Sequence, residues 1–288
     1  MTNLERIETA LHAYLAANIP EPLCEAMKYS LLAGGKRLRP MLCLSACEMT
    51  GGSQEAALPL ACALEMIHTY SLIHDDLPCM DNDDFRRGRP SNHKAFGEAN
   101  ALLAGDGLLT YAFEVILSEG PKYIDNAPRY YEAAAQIASG AGVKGMVAGQ
   151  WADLSNENNA SANAEMLSYI HVRKTGALIT AAVLAGGLVG HADAMELAAL
   201  RDFGTHFGLL FQITDDLLDV EGNAEKVGKT LGKDAAHAKL TYPGLYGIAE
   251  TKKMAGREAQ SAKDALQCFG TRAAWFLKLA DQTLLRSF

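Results

Sequence analysis

Residues 71–77 read Ser71-Leu72-Ile73-His74-Asp75-Asp76-Leu77, and a near copy returns about 140 residues later as Phe211-Gln212-Ile213-Thr214-Asp215-Asp216-Leu217. Each copy ends an apolar segment in paired aspartates. Upstream of both, hydrophobic residues recur three and four positions apart, the period of a helix with one buried face. The same period runs through Leu4, Ile7, Leu11, Tyr14 and Leu15 and through 55–74, 94–118, 165–190 and 194–218, and no run of similar length alternates as a strand would. The expected fold is all-α, a single domain over 1–288 of about ten helices. Gly34-Gly35, Gly51-Gly52, Gly88 to Pro90, Gly120-Pro121 and Gly222 mark its breaks, and Pro40 suits a first helical turn. Two polar stretches, Asp153 to Asn163 and Glu221 to Lys239, read as loops within that domain.

Composition agrees. Of 288 residues, 49% are hydrophobic and 47 are Ala, against 9 Pro and 26 Gly, which supports a buried core built from helices and excludes disorder and an all-β fold. With 26 basic against 34 acidic residues the net charge is -8, so neither nucleic acid nor an anionic membrane surface is an expected partner. Glu5, Arg6 and Glu8 stand where a secretory signal would carry a basic and then an apolar segment, and the protein is expected in the cytoplasm. Six cysteines without Cys-x-x-Cys spacing read as reduced core thiols. The longest uncharged run, Thr175 to Ala192, is rich in Ala and Gly and reads as a buried helix in preference to a membrane span.

The chemistry lies in the aspartates. Asp75, Asp76, Asp81, Asp83 and Asp84 crowd into ten residues before Arg86, and Asp215 and Asp219 share a helix face beside Asp216. Solvated helix ends, paired to Arg86, Arg87 and Arg89, are one reading. Recurrence in two near-identical apolar contexts favours another, in which oxygen-only ligand sets hold Mg²⁺ around a polyanion. Cations are placed to match: Gly34-Gly35-Lys36-Arg37-Leu38-Arg39 opens a helix, Arg86-Arg87-Gly88 follows the first cluster, and Lys229, Lys233 and Lys239 follow the second. Gly228-Lys229-Thr230 lacks the glycine spacing of a P-loop and follows no strand, so an NTPase is excluded.

Together these residues resemble the trans-isoprenyl diphosphate synthases over essentially the whole chain. The carrying motifs are Asp75-Asp76-Leu77-Pro78-Cys79-Met80-Asp81 with Arg86-Arg87-Gly88, Asp215-Asp216-Leu217-Leu218-Asp219, Gly34 to Arg39, Lys174-Thr175-Gly176 and Phe211-Gln212. The resemblance implies an isoprenoid synthase-type helical bundle around a deep central cavity, with the aspartate motifs facing across its mouth, three Mg²⁺ per site and a homodimer. By position, Asp75, Asp81 and Asp215 correspond to principal metal ligands, with Asp76, Asp216 and Asp219 nearby or bound through water. Lys36, Arg39, His68 and Arg87 correspond to the isopentenyl diphosphate site. Arg86, Lys174, Thr175, Gln212 and Lys229 correspond to contacts with the allylic diphosphate, and Lys239 is a further candidate although Leu240 departs from the family pattern.

The implied reaction ionises an allylic diphosphate. Isopentenyl diphosphate, held close, attacks the cation, and Thr175 and Gln212 stabilise it. Both motifs are whole, which argues against a noncatalytic subunit of a heteromeric synthase. Tyr70 lies about 7.5 Å below Asp75 along the helix, where its ring, with Ser71, would floor the cavity and limit the product to farnesyl diphosphate. Glu65-Met66-Ile67-His68 and Pro78 to Asp83 instead look like geranylgeranyl synthases, which is the alternative product.

Overall fold

The computed structural model describes residues 1–16, 19–123, 126–157, 163–221 and 240–287. In chain order its α-helices are α1 (Asn3–Tyr14), α2 (Glu21–Leu31), α3 (Leu38–Met49), α4 (Gln54–Asp75), α5 (Asn92–Phe96), α6 (Glu98–Glu119), α7 (Ala127–Ala141), α8 (Met146–Ser155), α9 (Ala164–His171), α10 (Ala177–Val189) and α11 (Ala194–Glu221), followed by Tyr242–Tyr246, Ile248–Ala265 and Ala274–Leu284. The helices exceed the expected ten because one-turn pieces are set off from long ones by glycines at positive φ, Gly97 at 86° and Gly247 at 75°. The strands among the described residues are β1 (Phe85–Arg86) and β2 (Arg89–Pro90), one antiparallel pair.

α4 lies at the centre, against α3, α6 and α10. Ser53 accepts from the Glu55 amide to start it, and Leu77-Pro78 cannot prolong it. Leu60, Leu64 and Ile67 are fully buried along one stripe, each worth roughly 1.5–3 kcal/mol relative to exposure. α11, 28 residues long, begins with a reciprocal cap, the Asp193 carboxylate accepting from Glu196 N at 2.8 Å and Glu196 accepting from Asp193 N at 3.2 Å. Between α9 and α10 the backbone forms one π-helical turn, Val172–Gly176, an irregularity often found at functional sites.

Three expectations change. Asp153 is not in a loop, because α8 continues through Ser155. Cys24, Cys43, Cys47 and Cys62 are buried thiols, but Cys79 and Cys268 are exposed. Among the described residues, three segments are long and apolar enough to cross a membrane by length and composition, two of them besides the one that contains Thr175: Gln54–Asp75, Glu98–Lys122 and Ala164–Val189. The first and third are mostly inside the bundle, whereas only 39% of the α6 window is buried, leaving Leu102, Leu103 and Leu117 at the surface.

Candidate active site

The last turn of α4 delivers the first aspartate pair to two different environments. Asp75 is half-buried and accepts from Gln150 Nε2 on α8 at 2.6 Å. Asp76 is buried and accepts from Arg86, whose Nε lies 3.0 and 3.2 Å from its two oxygens and whose Nη2 closes a second contact. Burial pushes the Asp76 carboxyl up, with Arg86 opposing. The solvated-end reading is thus wrong for Asp76, which is inside the protein, but right that an arginine pairs with it. Arg86, expected on the allylic diphosphate, spends its fork on Asp76 and approaches Asp83 at 3.5 Å.

Arg86 and Arg87 are separated in function by the hairpin. Arg87 and Gly88 have φ of 54° and 75°, the two left-handed residues of a primed two-residue turn. A non-glycine residue is unusual there, and the turn carries the Arg87 guanidinium onto the Gly34 carbonyl, to which it donates. A Cβ on Gly35 would stand 3.2 Å from that guanidinium. Arg39 is buried nearby, its pKa pulled down to about 10 by burial, with Glu65 opposing and Arg87 reinforcing. Among the described residues its Nε has no hydrogen-bond partner. Burial and the neighbouring Arg286 likewise lower Lys36, against Asp215. Arg39 and Arg87 thus form a cationic pocket that an anion would relieve, while Lys36 lies toward Arg286 and Asp215. His68 sits half-buried on α4. Arg37, which the sequence groups with them, is turned inward.

The π-turn joins the two motifs. Lys174 donates to Asp153 on α8 at 2.7 Å. Burial lowers its pKa, but Asp153, Asp75 and Asp81 outweigh this and raise it overall. The next residue faces the second motif: Thr175 Oγ1 donates to Gln212 Oε1 at 2.8 Å, Gln212 Nε2 to Asp216 Oδ1 at 2.9 Å, and Tyr242 N to Asp216 Oδ2 at 3.0 Å. Close backbone approach makes this possible. A Cβ on Gly208 would lie 2.8 Å from Gly176 Cα, and one on Gly149 2.1 Å from Lys174 N. Asp216 is buried, whereas Asp75, Asp81, Asp83, Asp215 and Asp219 are half-buried.

The donor set fits Mg²⁺. Among the described residues no three His, Cys, Asp or Glu groups form a ready-made cage, and Mg²⁺ ordinarily binds through one or two carboxylates, water and substrate phosphate. Gln150 Oε1, buried beside Asp75 without a hydrogen-bond partner among the described residues, is an oxygen suited to a metal-bound water. The sequence reading missed Gln150 and Asp153; their signal is a polar pair at i and i+3 on the otherwise apolar α8. It also missed Arg286, brought from the C-terminal turn beside Lys36 and 5.8 Å from the Phe211 ring.

Tyr70 is buried and meets the His74 ring edge-on at 5.6 Å, and His74 Nε2 lies 3.0 Å from Leu102 O on α6. Ser71 spends its hydroxyl on His68 O at 2.8 Å. Lys229 and Lys239 lie outside the described residues. A separate groove of about 320 Å³, lined by Lys144, Arg173, Thr180 and Arg201 among others, contains none of the expected site residues.

Comparison with known proteins gives the family. The sequence profile of the polyprenyl synthetase family matches residues 20–270. The chain is 49% identical over 281 residues to a chloroplastic geranylgeranyl pyrophosphate synthase of Capsicum annuum, covering 97% of this chain and 76% of that one. It is also 49% identical over 264 residues to the farnesyl diphosphate synthase of Geobacillus stearothermophilus, covering 91% and 88%. A crystal structure of Helicobacter pylori geranyltransferase complexed with magnesium and isoprenyl diphosphate superposes with a TM-score of 0.82 at 31% identity, covering 99% of this chain and 94% of that one. The chain belongs to the polyprenyl synthetase family and is a short-chain trans-prenyltransferase.

Proposed function

We propose that the protein joins isopentenyl diphosphate head-to-tail to dimethylallyl and then geranyl diphosphate, giving farnesyl diphosphate and releasing diphosphate at each step. The observation that carries the product length is Tyr70, buried five residues below Asp75 and braced by His74. A ring packed in this way resists displacement by a growing tail. The second reading, geranylgeranyl diphosphate, is favoured by the likeness to the Capsicum annuum enzyme, although the Geobacillus stearothermophilus likeness is equal in identity.

Asp75, Asp81, Asp215 and Asp219 would hold Mg²⁺, with Asp76 and Asp216 orienting the two helix ends. Bound there, Mg²⁺ supplies neutralisation of the allylic diphosphate as its C–O bond breaks. Lys174 adds a fixed positive charge at the same place. Lys36, Arg39 and Arg87, with His68, hold isopentenyl diphosphate so that its double bond attacks the allylic carbon, and proximity supplies much of the rate. Thr175 and Gln212 present oxygen without a strong nucleophile that would trap the cation. The attack leaves a tertiary carbocation; the adjacent carbon gives up a proton to the departing diphosphate, and the electrons of that C–H bond become the new double bond. Lys229 and Lys239 are proposed to complete the diphosphate contacts.

The half-exposed apolar face of α6 supports a homodimer, and the buried thiols suit the cytoplasm. A monomer in light scattering at micromolar concentration would overturn the dimer. The reaction is tested by incubating the protein with dimethylallyl and isopentenyl diphosphates, with and without Mg²⁺, and separating the dephosphorylated products. Magnesium-dependent farnesol is expected, and geranylgeraniol would transfer the assignment to the second reading. Asp75→Asn and Asp215→Asn should each cut kcat by about 100- to 1,000-fold, and full turnover in either would remove the metal assignment.

A further inference from the structure

Arg37 stands between Lys36 and Arg39 in the chain yet has no exposed side-chain surface. It sits at the start of α3 with φ 47°, a left-handed conformation that L-residues avoid unless their surroundings impose it. What imposes it is a double clamp. Its Nε donates to Glu8 Oε1 on α1 at 2.7 Å and its Nη1 to Glu65 Oε1 on α4 at 2.8 Å. Glu65 is itself 2% exposed, and its charge acts on Arg39 and Arg87 as well as on Arg37. One buried carboxylate therefore faces three guanidinium groups. Among the described residues Arg37 is hydrogen-bonded to it, and Arg39 keeps an Nε without a partner.

We propose that Arg37 and Glu65, with Glu8, are positioning residues for the isopentenyl diphosphate site. The clamp holds the left-handed turn that opens α3 and sets Arg39 beside Arg87, and Glu65 supplies the counter-charge that keeps the guanidinium groups together before an anion arrives. Arg37 and Glu65 touch neither substrate. This rests on the reading of the pocket given under the proposed function.

The test measures both KM values and kcat for the wild type, for Glu65→Gln and for Arg37→Met/Glu65→Leu. In Glu65→Gln the KM for isopentenyl diphosphate should rise about tenfold, with kcat and the allylic KM within about twofold. The double variant replaces the buried pair by apolar groups, so its melting temperature should recover. Its isopentenyl KM should stay raised, which a merely structural pair would not do. An unchanged KM in folded Glu65→Gln, or a KM that recovers with the melting temperature, overturns the proposal. If the wild type does not consume isopentenyl diphosphate, the functional reading fails instead. Calorimetric titration with inorganic diphosphate then decides the clamp alone, with about tenfold weaker binding by Glu65→Gln expected and equal binding overturning it.

Discussion

Thr175 Oγ1 donates to Gln212 Oε1 at 2.8 Å, and this bond ties the π-turn to the helix that carries the second aspartate motif. It depends on α11 approaching the turn at Gly208, where no side chain intervenes. Gly208→Ala should therefore force the two backbones apart and cost roughly 1–3 kcal/mol, the usual range for overpacking. Thermal melts measure the loss. Because the same shift separates Thr175 from Gln212, kcat should fall more than the KM for either substrate.

Asp153 keeps Lys174 charged. Burial alone would lower the Lys174 pKa, and Asp153 with Asp75 and Asp81 reverses that. In the wild type, rate should show no limb from this lysine in neutral and mildly basic solution. In Asp153→Asn the pKa drops, so activity should decline at lower pH than in the wild type, and kcat near neutrality should fall about 10-fold or more. A superimposable pH profile would count against the pairing.

His171 makes the fold sensitive to acid. Its ring stacks on Tyr242 at 5.3 Å, and burial pulls its pKa from 6.5 down to about 4, Asp153 opposing and Lys174 reinforcing. Between those values the unfolded chain binds a proton that the folded chain refuses. Stability from this group is thus full above pH 6.5 and is lost as pH falls toward 4. His171→Phe keeps the stacking and removes the titration, so its melting temperature should fall less than the wild type's between pH 7 and 5.

Tyr70→Ala should open the cavity floor and lengthen the main product by at least one isoprene unit, read by chromatography of the dephosphorylated alcohols. His74→Ala, which removes the brace while leaving the ring, should broaden the product distribution. If both variants give the wild-type pattern, Tyr70 is packing and does not set chain length.

The sequence by itself determined the class of the fold and the chemistry on offer. Hydrophobic period is a local property, so the helical stripes of α4 and α11 and the aspartates at their ends could be read directly. Sequence also showed that Lys36, Arg39 and Arg87 are available. It could not show which charges are buried and paired, because that depends on contacts between residues far apart in the chain. Asp75 and Asp76 are adjacent, yet one is held by Gln150 and the other is buried against Arg86. Arg37 and Arg39 are two apart and both buried, yet the first is tied to Glu8 and Glu65 while the second keeps an Nε without a hydrogen-bond partner among the described residues. Asp153 looks like loop in sequence and becomes Lys174's partner only when α8 packs on the π-turn. Burial changes the cost of a charge by more than local sequence does, so tertiary packing decided which of these residues are structural and which were left for a ligand.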